Sequence, residues 1–222
     1  MPKPDKSRWY DDACGTALAL ELVGERWSLL IVRELMFGGR RFGELKSNLP
    51  GISANILTQR LEGMEASGIL TRRKLPPPAS VQVYELTPWG YESETAIKEL
   101  GRWATRSPLH DPTLPLSAAS LMLSFRTMLS AERAGDLRAT IGFRLGAEVF
   151  LGRLEQGVIA IRREDPVAAD VIFESDPVNL ASVIYGGRPI DDAEAAGALA
   201  IVGDRALAER YVTLFPLPEK TA

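Results

Sequence analysis

Apolar residues in the first hundred positions recur at helical spacing, and glycines interrupt them. The pattern predicts a helix over 14–23 that stops at Gly24, and a second over 27–37 that stops at Gly38 and Gly39. A brief helix over 42–47 follows. The stretch LPGIS then carries a turn, with Ser53 placed to cap a helix that runs to Ser67 and ends at Gly68. In that helix Leu57, Leu61 and Met64 fall on one buried stripe, which leaves Asn55, Gln59 and Glu62 on the opposite face and Thr58 on its flank. Next come two short strand-like runs, ILTRRKL and VQVYEL, on either side of PPPAS, a two-stranded ribbon with a stiff tip. Thr87 and Pro88 supply a cap and a first-turn proline for one helix over 88–104.

The pattern then lapses. SPLHDPTLP, residues 107–115, holds three prolines and little apolar material, and reads as a linker. Beyond it an amphipathic helix over 117–129 puts Leu121, Phe125, Met128 and Leu129 on one side. LRATIGFRL, EVFLGRLE, VIAIRRE and ADVIFES are strand-like and separated by turn residues, which predicts an antiparallel sheet. A helix from Asp176-Pro177 to Tyr185 and a last one beginning at Asp204, with Leu207, Tyr211, Leu214 and Phe215, would cover it. The expected class is α+β, with domains at 1–106 and 116–222 joined by 107–115.

Composition narrows the function. The chain has 222 residues, 45% of them hydrophobic and 25% charged, as in ordinary folding proteins. No apolar run reaches the roughly 20 residues of a membrane span, and the start, MPKPDKSRWYDD, is charged where a secretory signal is apolar. The expectation is a cytoplasmic protein with no membrane partner. One cysteine, Cys14, and one histidine, His110, cannot build an internal disulfide or a His-rich metal or catalytic site. No metal, no cofactor and no enzymatic activity are expected.

The net charge of -3 conceals two regions of opposite sign. Residues 26–74 hold nine Lys and Arg against four Glu, whereas 113–222 hold 11 basic against 15 acidic residues. Positive charge gathered on a turn, a polar-faced helix and the hairpin after it points to double-stranded DNA. Ser53, Asn55, Thr58 and Gln59 are placed at the leading end of a recognition helix, where Asn and Gln pair bidentately with adenine and hydroxyls reach bases or phosphate. Arg40, Arg41, Arg60, Arg72, Arg73 and Lys74 are the candidate phosphate contacts.

These stretches, with GERWSLLI, RRFGELK, LPGIS and LTQRLEGME among them, resemble the HxlR-type winged helix-turn-helix regulators over residues 12–106. The resemblance implies a homodimer on paired half-sites, built by the first helix and the helix after the wing. Trp89, Ile97, Leu100 and Trp103 supply apolar surface there; Trp27, Leu30 and Leu35 read as core. It also sets Cys14 at the position of a redox-sensing cysteine. A helix N-terminus would favour the thiolate and the neighbouring Asp11 and Asp12 would oppose it, and the plainer reading is a small packing residue.

After the linker, DPVNLASVIYGGRPI and DDAEAAGALAIVGDRALAERYVTLF resemble the sterol carrier protein fold, which implies a cavity for an apolar small molecule. Phe143, Phe150, Val171, Phe173, Ile184, Tyr185, Leu207 and Tyr211 are its candidate lining. The leading expectation is a dimeric, sequence-specific transcriptional regulator controlled by such an effector. The competing one is a lipid or small-molecule carrier whose winged domain is an interaction module.

Overall fold

A computed structural model describes residues 10–76 and 80–221, which fall into two compact units, Met1–Ile97 and Lys98–Ala222. The tip of the expected ribbon at Pro77, Pro78 and Ala79 lies outside the described residues.

In the first unit, helices α1 (Gly15–Val23), α2 (Ser28–Leu35), α3 (Phe42–Asn48) and α4 (Ala54–Ala66) precede strands β1 (Leu70–Lys74) and β2 (Gln82–Leu86). Helix α4 starts where Ser53 accepts a hydrogen bond from the Ile56 N–H at 3.2 Å. The turn before it needs a left-handed residue, supplied by Gly51 at φ +92°. Ile31, Val32 and Leu35 of α2 and Leu45 of α3 are buried, as are Leu57, Leu61 and Met64 of α4, so the stripe read from spacing is the core. Leu30, expected inside, lies on the exposed face of α2, and Trp27 is half-buried. β1 and β2 pair antiparallel with Arg72 opposite Tyr84 and Arg73 opposite Val83. The Arg40 backbone bonds Tyr84 in both directions, at 2.8 and 2.7 Å, which ties the chain before α3 to the ribbon.

One helix is expected over 88–104, but two are found, α5 (Pro88–Glu92) and α6 (Glu94–Ala104). Ser93 separates them: it caps α5 and its hydroxyl donates to the Gly90 carbonyl at 2.7 Å, a local bond that competes with helix continuation.

The second unit contains α7 (Ala118–Met128), α8 (Ala131–Ala134), β3 (Ala139–Leu145), β4 (Glu148–Glu155), β5 (Val158–Arg162), β6 (Val171–Ser175), α9 (Pro177–Ile184), α10 (Ile190–Ala195), β7 (Leu199–Gly203) and α11 (Arg205–Tyr211). The five strands lie in the order β5-β4-β3-β6-β7. The sheet is mixed, which corrects the antiparallel expectation: β6 runs parallel to β3, with Phe143 beside Phe173. Two-residue turns close β3-β4 and β4-β5 as hairpins, whereas 163–170 is long enough to cross the sheet and return parallel. That crossing brings Pro166 onto β3 at Gly142, where an added Cβ would stand 2.5 Å from the proline Cβ. The pattern also missed α8, α10 and β7; each is only four to six residues long, too short for a period to emerge.

The core of this unit is aromatic. Phe125 of α7 lies 5.5 Å from Phe143, 5.9 Å from Tyr211 and 4.8 Å from Phe215, ring centre to ring centre. Phe143 stacks on Phe173 at 6.0 Å. The expected linker, 107–115, carries turns, and Lys220 Nζ donates to the carbonyls of Ser107 and His110 at 3.0 and 3.2 Å. The Thr221 N–H donates to the Arg106 carbonyl at 2.8 Å.

Candidate nucleic-acid interface

Because α4 buries Leu57, Leu61 and Met64, the residues half a turn away are turned outward. Asn55, Thr58 and Gln59 are all exposed, and none of the three side chains has a hydrogen-bond partner among the described residues. At spacings of three and four they form one polar face at the leading end of the helix. Ser53 is exposed too, but its oxygen already accepts the Ile56 N–H, so its hydroxyl proton is what it has left to offer.

The basic residues differ in exposure and in what they hold. Arg41 and Lys74 are exposed, the first at the start of α3, where its N–H donates to Glu44 at 2.7 Å, the second at the end of β1. Arg72 and Arg73 are about half exposed and hold carboxylates, Arg72 with Glu65 at 2.5 Å and Arg73 with Glu85 at 2.7 Å. The Arg72 guanidinium beside Glu65 holds that carboxyl below its usual range. Arg60 reaches back to Glu25 at 2.8 Å and to the Arg26 carbonyl at 3.2 Å, so it fastens α4 to the chain after α1. Arg40 is only 7% exposed, and burial puts its guanidinium out of reach of a phosphate; its contribution is to the hairpin.

Cys14 is exposed at the N-terminus of α1. The N–H groups of Thr16 and Ala17 favour the thiolate and bring its pKa below the usual thiol value, and the neighbouring Asp12 carboxylate accepts the Cys14 N–H at 2.9 Å. No residue of α1 or α6 is buried. Leu18 and Leu20 of α1, Trp89 of α5, and Leu100 and Trp103 of α6 all show large apolar surface, Trp103 being 72% exposed.

In the second unit a cleft of about 530 Å³ opens between the end of α9 (183–185), the turn at 187–190 and the chain at 212–217. Ile184 and Tyr185 line it. Phe143, Phe150, Val171, Phe173, Leu207 and Tyr211 are packed in the core instead, where sheet and helices interdigitate. Burial pushes the Tyr185 hydroxyl pKa up, and its hydrogen bond with Ser124 Oγ at 2.8 Å opposes that only in part. The other cleft residues were not foreseen from sequence, and among them stand two arginines, Arg133 and Arg188. The signal was present in the GGRP turn, but an apolar cavity was sought among apolar residues.

A helix pair whose second member shows an unpartnered polar face, followed at once by an exposed basic hairpin, defines a winged helix-turn-helix. Comparison with known proteins agrees: the HxlR-like helix-turn-helix profile matches residues 22–110. The chain is 33% identical over 87 residues to the uncharacterized HTH-type transcriptional regulator YvaP of Bacillus subtilis, a match spanning 39% of this chain and 81% of that protein. It is 36% identical over 86 residues to the HTH-type transcriptional regulator YodB of the same organism, spanning 39% of this chain and 77% of YodB. The crystal structure of quinone-bound YodB superposes with a TM-score of 0.36 at 32% identity, covering 40% of this chain and 93% of that one. The chain belongs to the HxlR-like helix-turn-helix family and is a DNA-binding transcriptional regulator. That family consists of regulators and not of enzymes. Among the described residues no helix is long and apolar enough to cross a membrane, and no group of three or more His, Cys, Asp or Glu stands together as a metal site.

Proposed function

We propose that this chain is a cytoplasmic homodimer that reads a paired operator with Ser53, Asn55, Thr58 and Gln59 and holds the phosphates with Arg41, Arg72, Arg73 and Lys74. The observation that carries the reading is the exposed Asn55, Thr58 and Gln59 face, polar groups that α4 presents to solvent while its other side fills the core. Direct base readout uses the first turns of a helix laid in the major groove, and these are those turns. The apolar surface on α1, α5 and α6 supports dimerisation, because exposed Leu and Trp gain from a second copy, most of all on α1 and α6, which have no buried residue of their own.

The domain division that goes with this function is DNA binding and dimerisation in 1–106, connection in 107–115, and a sterol carrier protein-like sensor of a small apolar molecule in 116–222. The quinone-bound state named for YodB offers a precedent for a small-molecule effector in a relative. Cys14, exposed and with a lowered thiol pKa, is the position at which a thiol-reactive effector would act.

Footprinting on the DNA upstream of the chain's own gene tests the reading. The expected result is two protected half-sites whose centres lie about one helical turn, roughly 34 to 36 Å, or a multiple of it apart. Protection of a single half-site would remove the dimer, and no protection above random DNA would remove sequence-specific recognition.

A further inference from the structure

The cleft of the second unit is not simply apolar. Its walls include Val183, Ile184, Ile190, Phe215 and Leu217, but Arg133 and Arg188 stand among them and no Asp or Glu does. The two arginines come from different walls. Arg133 Nη1 donates to the Thr213 carbonyl at 2.9 Å on the 212–217 side. Arg188 donates to Asn179 Oδ1 and to the Asp192 carbonyl, both at 3.3 Å, on the α9-α10 side.

Every one of these acceptors is neutral. Elsewhere in the unit Arg138, Arg144, Arg153 and Arg205 each hold a carboxylate, whereas among the described residues neither cleft arginine has one within ion-pairing distance; the exposed Arg162 and Arg210 have none either, but they do not line the cleft. A guanidinium carries five N–H donors, so each retains donors after these bonds are counted. Two such forks in the lining of a cleft whose other walls are largely apolar match one chemistry, a planar or tetrahedral oxyanion joined to a hydrocarbon body. The volume, about 530 Å³, lies inside the roughly 300–1,000 Å³ usual for small-ligand sites.

We propose that the cleft binds an amphipathic anion, with a carboxylate or phosphate head held by Arg133 and Arg188 and its hydrocarbon body laid against Ile184, Phe215 and Leu217. This rests on the sensor reading and adds to it the charge of the effector and the place where it binds. It also gives the effector a route. The wall at 212–217 continues into Lys220 and Thr221, which are bonded to Arg106, Ser107 and His110 directly after α6. A ligand that repositions this wall therefore pulls on the end of the helix proposed to hold the dimer.

The test is calorimetric titration of the full chain with dodecanoate, dodecyl phosphate and uncharged dodecanol, each below its micellar concentration. It is repeated on Arg133→Gln, Arg188→Gln, the double variant, and Arg162→Gln, an exposed arginine of β5 outside the cleft. One or both anions are expected to bind one per chain and at least tenfold more tightly than dodecanol. The double variant should lose that advantage while Arg162→Gln keeps it, and the preference between the anions identifies the head. Arg133 is exposed, so its single variant reports even where loss of Arg188 disturbs the fold. Equal affinity for dodecanol and the anions, or an undiminished preference in the double variant, would overturn the anion and leave an apolar effector standing. Binding of none of the three would overturn both.

Discussion

The wing and the cleft both display arginines, and they differ in what those arginines hold. Around the wing Arg72 and Arg73 are already neutralised by Glu65 and Glu85, and beside the exposed Arg41 and Lys74 the groups left without partners are the uncharged Asn55, Thr58 and Gln59. In the cleft the arginines bond only neutral carbonyl and amide oxygens, so it is charge that is left uncompensated. The wing is thus a surface where a polyanion must compete with internal carboxylates, and sequence discrimination comes from neutral groups beside it. The cleft is a place where one small anion meets no competitor.

The largest consequence falls on the neutral face. Gln59→Ala and Asn55→Ala each remove a side chain able to pair bidentately with a base, and each such pairing is worth about 1 to 3 kcal/mol on the operator, with random DNA hardly affected. Gel-shift titrations on operator and scrambled duplexes read the difference directly. Equal weakening on both would mean that these side chains touch only backbone, and the division of labour between helix and wing would disappear.

On the charged side, Arg72→Ala combined with Arg73→Ala should weaken binding to every sequence alike. The slope of log affinity against log salt should flatten by about 0.9 for each phosphate no longer neutralised. A slope that does not move would take the wing out of the interface.

Within the second unit, the contrast between cleft and core can be sharpened at Tyr211. Its ring is fully buried among Phe125, Phe143, Phe173 and Phe215, and its hydroxyl has no partner among the described residues. An unsatisfied buried hydroxyl costs about 1 to 3 kcal/mol, so Tyr211→Phe should raise unfolding stability by about 1 kcal/mol without altering anion binding at Arg133 and Arg188. Chemical denaturation checks the first and calorimetry the second. A destabilised variant would mean that the hydroxyl has a use in the folded chain.

What the sequence made legible follows from the same contrast. The face of α4 was readable because a helix that buries Leu57, Leu61 and Met64 must turn Asn55 and Gln59 outward, a matter of local period. The partners of Arg72 and Arg73 were less so, since Glu65 and Glu85 come from a helix and a second strand and meet them only across the fold. The cleft was the least legible. It is built from the end of α9, a turn and an irregular chain at 212–217, none of which has a period, and the large apolar residues singled out for it went mostly to the core. The parallel pairing of β3 and β6 was hidden likewise, because it depends on 163–170 crossing the sheet at Gly142.

The smallest predicted effect tests the comparison itself. Exposed ion pairs are worth about 0 to 1 kcal/mol, so exchanging a carboxylate for a phosphate is cheap, but the displaced carboxylate stays near the duplex and repels it. Removing that charge while keeping the side chain's shape should help. Glu85→Gln and Glu65→Gln are therefore each expected to strengthen binding to operator and random DNA by a few-fold, corresponding to less than about 1 kcal/mol, with no change in discrimination between them. The gain should be largest at low salt and fade as salt screens the repulsion. Unchanged affinity at low salt would show that Arg72 and Arg73 stay with their carboxylates when DNA is bound. The phosphates would then be held by Arg41 and Lys74, the exposed basic residues to which no carboxylate partner is assigned, and within the wing only the end of β1 would stay open to anions.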